Sequence, residues 1–139
     1  MINLPNLKRQ HKEVLEIVKY IEEKVKNNNI TDNAMELAKN NNILAGKLKF
    51  HLKEEDNNLY PNLISSEDEK LREYSIEYST EMEGIFDNFM SYKNKYNTKT
   101  KILKDESRYI KDTNKIIGNL KKRILKEDVH RYPILEKIQ

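Results

Sequence analysis

Polar residues fall on apolar stripes of helical period at several points in this chain, and that combination limits the fold more than any other feature. Leu7, Val14, Val18, Ile21 and Val25 recur at steps of three, four and seven, which places them on one helix face, and His11 lies on that face with them. Pro5 suits the first turn of this helix, where a missing N–H costs nothing. A second helix is expected after Thr31-Asp32-Asn33, each residue a suitable N-cap, with Leu37, Leu44 and Leu48 inward and His51, Glu55 and Leu59 continuing the same face up to Pro61. Histidine and carboxylate side chains aimed into a core need either each other or a metal.

The rest of the chain repeats the pattern. Ser65-Ser66-Glu67-Asp68-Glu69 has capping-box spacing for a third helix with the stripe Leu71, Tyr74, Tyr78, Met82, Ile85, Phe89, Tyr92 and Tyr96. A fourth helix is expected after Asn97-Thr98-Lys99-Thr100, carrying Leu103, Ile110, Ile117, Leu120 and Ile124 and ending near Tyr132-Pro133, with Arg123 and Glu127 on or beside its apolar face. Three glycines, three prolines and short polar connections favour an all-α class. Four helices without a crossover-length loop make an up-down-up-down four-helix bundle, and 139 residues suit one domain over 1–139.

Composition narrows the chemistry. Without cysteine, disulfides, thiolate metal sites and cysteine nucleophiles are excluded together, leaving nitrogen and oxygen ligands. A net charge of +3 from 26 basic and 23 acidic side chains gives no argument for a nucleic-acid or membrane partner. Lys121-Lys122-Arg123 is too short a basic run to change that. No phosphate-binding glycine loop or nucleophile elbow is visible, so an enzyme reading survives only through a metal, and a non-enzymatic role is favoured. No signal-peptide succession or membrane-length apolar run is present, and the expected location is cytoplasmic.

The two halves share a hidden register. His51, Glu55, Tyr60 and Pro61 superpose on Arg123, Glu127, Tyr132 and Pro133, and the flanking Glu55-Asp56 on Glu127-Asp128. Stepping back 40 residues from His51 reaches His11, and 41 from Arg123 reaches Met82. Each helical hairpin thus offers one inward residue from its first helix and two from its second. Glu54, Asp56 and Asp128 are expected to face solvent, being rotated about 100° from the inward glutamates. Glu127-x-x-His130 matches the spacing of ferritin-like sites, but without a second copy His130 is read as a surface or capping residue.

On these motifs the chain resembles the hemerythrin-like family, also called the HHE cation-binding domain. The resemblance rests on a histidine early in helix 1, His-x-x-x-Glu followed by Tyr-Pro in helix 2, and the same terminator on helix 4, and it covers nearly the whole length. It implies a four-helix bundle with a non-haem di-iron site, and roles in dioxygen binding, sensing of oxygen or nitric oxide, or iron handling. By resemblance His11 and His51 match the histidines of one iron and Glu55 and Glu127 the bridging carboxylates, while Met82 and Arg123 stand where histidines of the second iron would be. Thioether sulfur is a poor partner for hard iron, and a guanidinium cannot coordinate a cation.

The expected site therefore holds one iron through His11, His51, Glu55 and Glu127, zinc or manganese fitting the same donors. Arg123 is expected to replace the second charge by forking onto Glu55 and Glu127, with Met82 and Tyr78 around it. The competing reading is a metal-free bundle in which the same arginine, glutamates and histidines form a buried network and the surface serves as a protein-interaction module.

Overall fold

The computed structural model describes residues 4–59, 61, 63 and 67–133, apart from the side chains of Asn58, His130 and Arg131. The readings of His130 and Tyr60 fall outside this part. Among the described residues five α-helices have defined bounds: α1 (Leu4–Lys26), α2 (Ala34–Glu54), α3 (Glu69–Lys95), the short α4 (Lys99–Leu103) and α5 (Glu106–Lys126). No strand occurs among the described residues. The four long helices pack in a ring, α1 on α2, α2 on α3, α3 on α5 and α5 on α1, which is the four-helix bundle expected from the stripes.

Local chemistry sets the helix ends. α1 stops where Asn28 takes φ 56°, with the Asn29 N–H bonded to the Lys24 carbonyl at 2.9 Å and the Asn28 N–H to Val25 at 3.2 Å, a Schellman closure with asparagine in the left-handed position. Thr31-Asp32-Asn33 forms a 3₁₀ turn leading into α2, and neither Ile30 nor Asn33, which precede the two helices, makes a side-chain cap bond. Asp68 caps α3 by accepting from the Leu71 N–H at 3.2 Å, whereas Ser65 and Ser66 lie outside the described residues. The fourth helix starts in two pieces, because Asp105 takes the Arg108 N–H at 3.1 Å and begins a new helix after α4.

Two π turns follow the second and last long helices, over Glu55–Leu59 and Glu127–Arg131. They occupy corresponding places in the internal repeat. A π turn closes i→i+5 and so adds one residue per turn, and such turns concentrate at functional sites.

The core is divided in two. A large cluster includes Val14, Val18, Leu44, Leu48, Phe89, Leu120 and Ile124; a smaller one at the far end holds Leu4, Leu7, Leu59, Leu63, Tyr78 and Tyr132. On each element that crosses the division a different residue stands between them: His11 on α1, His51 and Glu55 at the end of α2, Met82 on α3, and Glu127 after α5. Three of these four helical walls place ionisable groups at the level where an unbroken apolar core would otherwise continue.

Candidate metal centre

α1 supplies two adjacent side chains to this level, since Gln10 turns toward α2 while His11 faces the bundle axis; both are buried. His51 comes from the last turn of α2, and the π turn beginning at Glu55 keeps that carboxylate inside. The matching π turn after α5 brings in Glu127. His11 and His51 are each 2 % exposed, and Glu55 and Glu127 are wholly enclosed.

The imidazoles are held in defined orientations. His11 Nδ1 lies 2.7 Å from Asp128 Oδ1, and His51 Nδ1 lies 2.7 Å from Gln10 Oε1 with the amide oriented as it is. With Nδ1 donating to these oxygens, a neutral ring at either position turns its Nε2 lone pair into the site. Those two Nε2 atoms face each other at 2.9 Å. At that distance either one Nε2 donates a hydrogen bond to the other or both turn lone pairs toward a shared cation.

This spacing is compatible with coordination geometry. Nitrogens each about 2.1 Å from one cation and about 90° apart stand about 3 Å from one another. His51 Nε2 is 3.1 Å from Glu55 Oε1, a similar edge length, and His11 Nε2 is 3.9 Å from Glu127 Oε1. Ligand atoms of His11, His51 and Glu127 all lie within 4.8 Å of one another. The donor set of two imidazoles and carboxylates therefore fits a single borderline or hard divalent ion.

Electrostatics point the same way. Burial raises the Glu127 pKa to about 8, helped by repulsion from Glu55 and by a proton shared with it, against the opposing pull of His11 and His51. The sharing is loose, since neither Glu127 oxygen meets a hydrogen-bond partner of good geometry among the described residues. Burial lowers the His51 pKa, partly offset by Glu127, Asp128 and Glu54, which favours the neutral ring that a metal requires.

Several residues stand elsewhere than the sequence suggested. Arg123 forms its ion pair with Glu81 rather than forking onto Glu55 and Glu127, and its guanidinium carbon lies 5.4 Å above the Tyr78 ring. Lys126 Nζ is at the same distance from that ring, so Tyr78 serves two cations while its hydroxyl meets Tyr74 at 3.0 Å. The long arginine stem reaches the neighbouring helix before it reaches the site. Met82 is buried in the wall and offers only its thioether. Asp128, expected in solvent, is only partly exposed and is bonded to His11. Asp56 remains exposed.

Gln10 and Tyr132 join the site without having been singled out for it. Tyr132 is fully buried and stacks on His11 with ring centroids 5.1 Å apart. The repeat marked Tyr132 only as part of a helix terminator, and nothing in the stripe of α1 distinguished Gln10 from a solvated neighbour of His11.

A four-helix bundle with inward histidines and carboxylates in its core is an all-α domain whose side chains are able to ligate a cation. The family model for the hemerythrin HHE cation-binding domain matches residues 3–135, and the chain belongs to that family. No curated protein and no solved structure matches it.

Proposed function

We propose that this chain binds one non-haem iron ion through His11, His51, Glu55 and Glu127, and through that iron a diatomic ligand, dioxygen or nitric oxide. The observation that carries the reading is the pair of Nε2 atoms facing each other at 2.9 Å, each ring held by an oxygen on its other nitrogen. One ion is favoured over two because Met82 and the Glu81-paired Arg123 stand at the positions aligned with a second pair of histidines. Non-haem ferrous iron with open coordination positions supplies the binding of small diatomic ligands.

This chain's own residues fix the ion's surroundings. Asp128 and Gln10 orient the two imidazoles, Glu127 gives up a proton held against the core, and the apolar clusters on either side restrict water. A role in storage or sensing of iron, oxygen or nitric oxide fits these features better than catalysis, and the cytoplasm is the compartment we assign. Among the described residues no helix is long and apolar enough to cross a membrane. The test is an anaerobic titration of apoprotein with Fe(II) followed by nitric oxide: the reading requires saturation at one equivalent and a ferrous-nitrosyl electron paramagnetic resonance signal. Iron that binds without forming a nitrosyl species would remove the diatomic ligand from the account and leave iron handling.

A further inference from the structure

We propose that Tyr132 is a ligand of the bound ion, donating a phenolate oxygen when the iron is ferric. The inference rests on the metal-binding reading above. Tyr132 is fully buried, and its hydroxyl lies 3.3 Å from His11 Nε2 and 3.5 Å from Glu55 Oε2. Those two atoms both belong to the cluster that would surround the ion. The phenol oxygen therefore shares the polar level between the two apolar clusters, although the rest of its ring packs in the smaller cluster with Leu4, Leu7 and Leu63.

The backbone explains how it gets there. Five residues beyond Glu127 on an α-helix would place a side chain about 140° away around the axis. Here the turn over Glu127–Arg131 is a π turn, and the Tyr132 N–H bonds to the Glu127 carbonyl, an i→i+5 closure that brings Tyr132 over Glu127. The inserted residue thus converts a position on the bundle's flank into one that faces His11. Its stacking on the His11 ring at 13° between planes holds the phenol in that orientation.

Ligand chemistry favours the assignment for ferric iron. Among the described residues the site offers two imidazole nitrogens beside its carboxylates, and a phenolate adds a hard anionic oxygen suited to the harder, more highly charged ion. On loading with a ferric salt the O–H bond breaks, the oxygen keeps the electron pair and donates it to the ion, and the proton leaves to solvent, as ligand protons do on metal binding. No oxidant is needed.

The experiment loads full-length apoprotein with Fe(III) and records its visible absorption and resonance Raman spectra, then repeats both with Tyr132→Phe and Tyr78→Phe. The expected result is a phenolate-to-iron charge-transfer band with enhanced tyrosine ring modes in the parent chain and its loss in Tyr132→Phe. That loss should come with a fall of about tenfold or more in ferric affinity and a smaller change for Zn(II). A fluorinated tyrosine placed at 132 alone, which shifts the band without removing the ring, covers the case in which Tyr132→Phe does not fold. Iron-loaded protein with no such band, or a band that survives at 132 and disappears with Tyr78→Phe, overturns the assignment while leaving the metal site standing. Failure of the parent chain to take up iron overturns both.

Discussion

Replacing Glu127 by glutamine should make the metal-free protein more stable and the metal-bound one less so. Glu127 has an ordinary pKa of 4.5 and is raised to about 8 in the folded chain, so the folded state holds its proton more tightly than the unfolded state does. Below pH 4.5 both states are protonated and the residue costs nothing. As the pH rises from 4.5 to 8 the unfolded chain releases the proton first, and stability falls by about 1.4 kcal/mol per pH unit. At pH 7 the accumulated cost is about 3 kcal/mol, and above pH 8 it levels off near 5 kcal/mol.

Glutamine keeps the shape and never ionises. Metal-free Glu127→Gln should therefore match the parent near pH 4.5 and exceed it by about 3 kcal/mol at pH 7, roughly 10 °C in Tm for a domain of this size. Metal reverses the order. The parent gains about 3 kcal/mol at a free-ion concentration a hundredfold above Kd, and the variant, lacking a carboxylate ligand, gains much less. Thermal unfolding of both chains at pH 5 and pH 7, with chelator and with Fe(II) or Zn(II), reads all four values. A metal-free variant less stable than the parent at both pH values would mean that Glu127 is ionised and well paired in the apoprotein, and the electrostatic reasoning would be wrong.

Other expectations follow from the same geometry. Asp128→Ala should weaken metal binding by about 10–100-fold, with Asp128→Asn intermediate because its amide oxygen can still accept from His11 Nδ1; equal affinities in calorimetric titrations would refute the positioning role. Arg123→Ala should leave metal affinity nearly unchanged and cost about 1 kcal/mol in denaturant unfolding, since it removes a partly exposed pair with Glu81 and a cation over Tyr78. A large loss of affinity would restore the charge-replacing role for this arginine. Asn28→Val should cost about 1–2 kcal/mol because a β-branched residue is forced to a φ of 56°, whereas Asn28→Gly should be neutral or stabilising.

Much of this structure was legible in the sequence because helical period leaves a direct trace. The stripes of Val14, Val18 and Ile21 or of Ile117, Leu120 and Ile124 specify buried faces, and His11, His51, Glu55 and Glu127 stood out as polar residues on those faces. The internal repeat located both helix ends that turn out to be π-helical. What it could not reveal was the π register itself. With 100° per residue Tyr132 falls on a flank, whereas one extra residue in the turn brings it into the site; Asp128, partly exposed, reaches His11 from beside Glu127, a contact with α1 that periodicity does not mark.

Arg123 departs from the expected pairing for a different reason. Its position near the apolar face was right, but a side chain of that length has several acidic residues in reach, and the choice of Glu81 over Glu55 or Glu127 depends on which helix stands closer. Gln10 is buried by the packing of α1 on α2, a tertiary contact with no periodic signature in the α1 stripe. Helix breaks were similarly local: the division between α4 and α5 follows from one side chain, Asp105, taking a backbone N–H.

The most direct test of the central claim is the metal content per chain of protein purified anaerobically from iron-supplemented cells, measured by mass spectrometry beside His51→Ala and Glu55→Ala. The account predicts about one iron per chain, lost in both variants while each remains helical. Two ions per chain would mean that α3 or α5 supplies ligands not recognised in the arrangement of Met82, Arg123 and Glu81. No metal, even after reconstitution with Fe(II), would contradict the account and leave the facing histidines and carboxylates as a proton-linked network in a metal-free bundle.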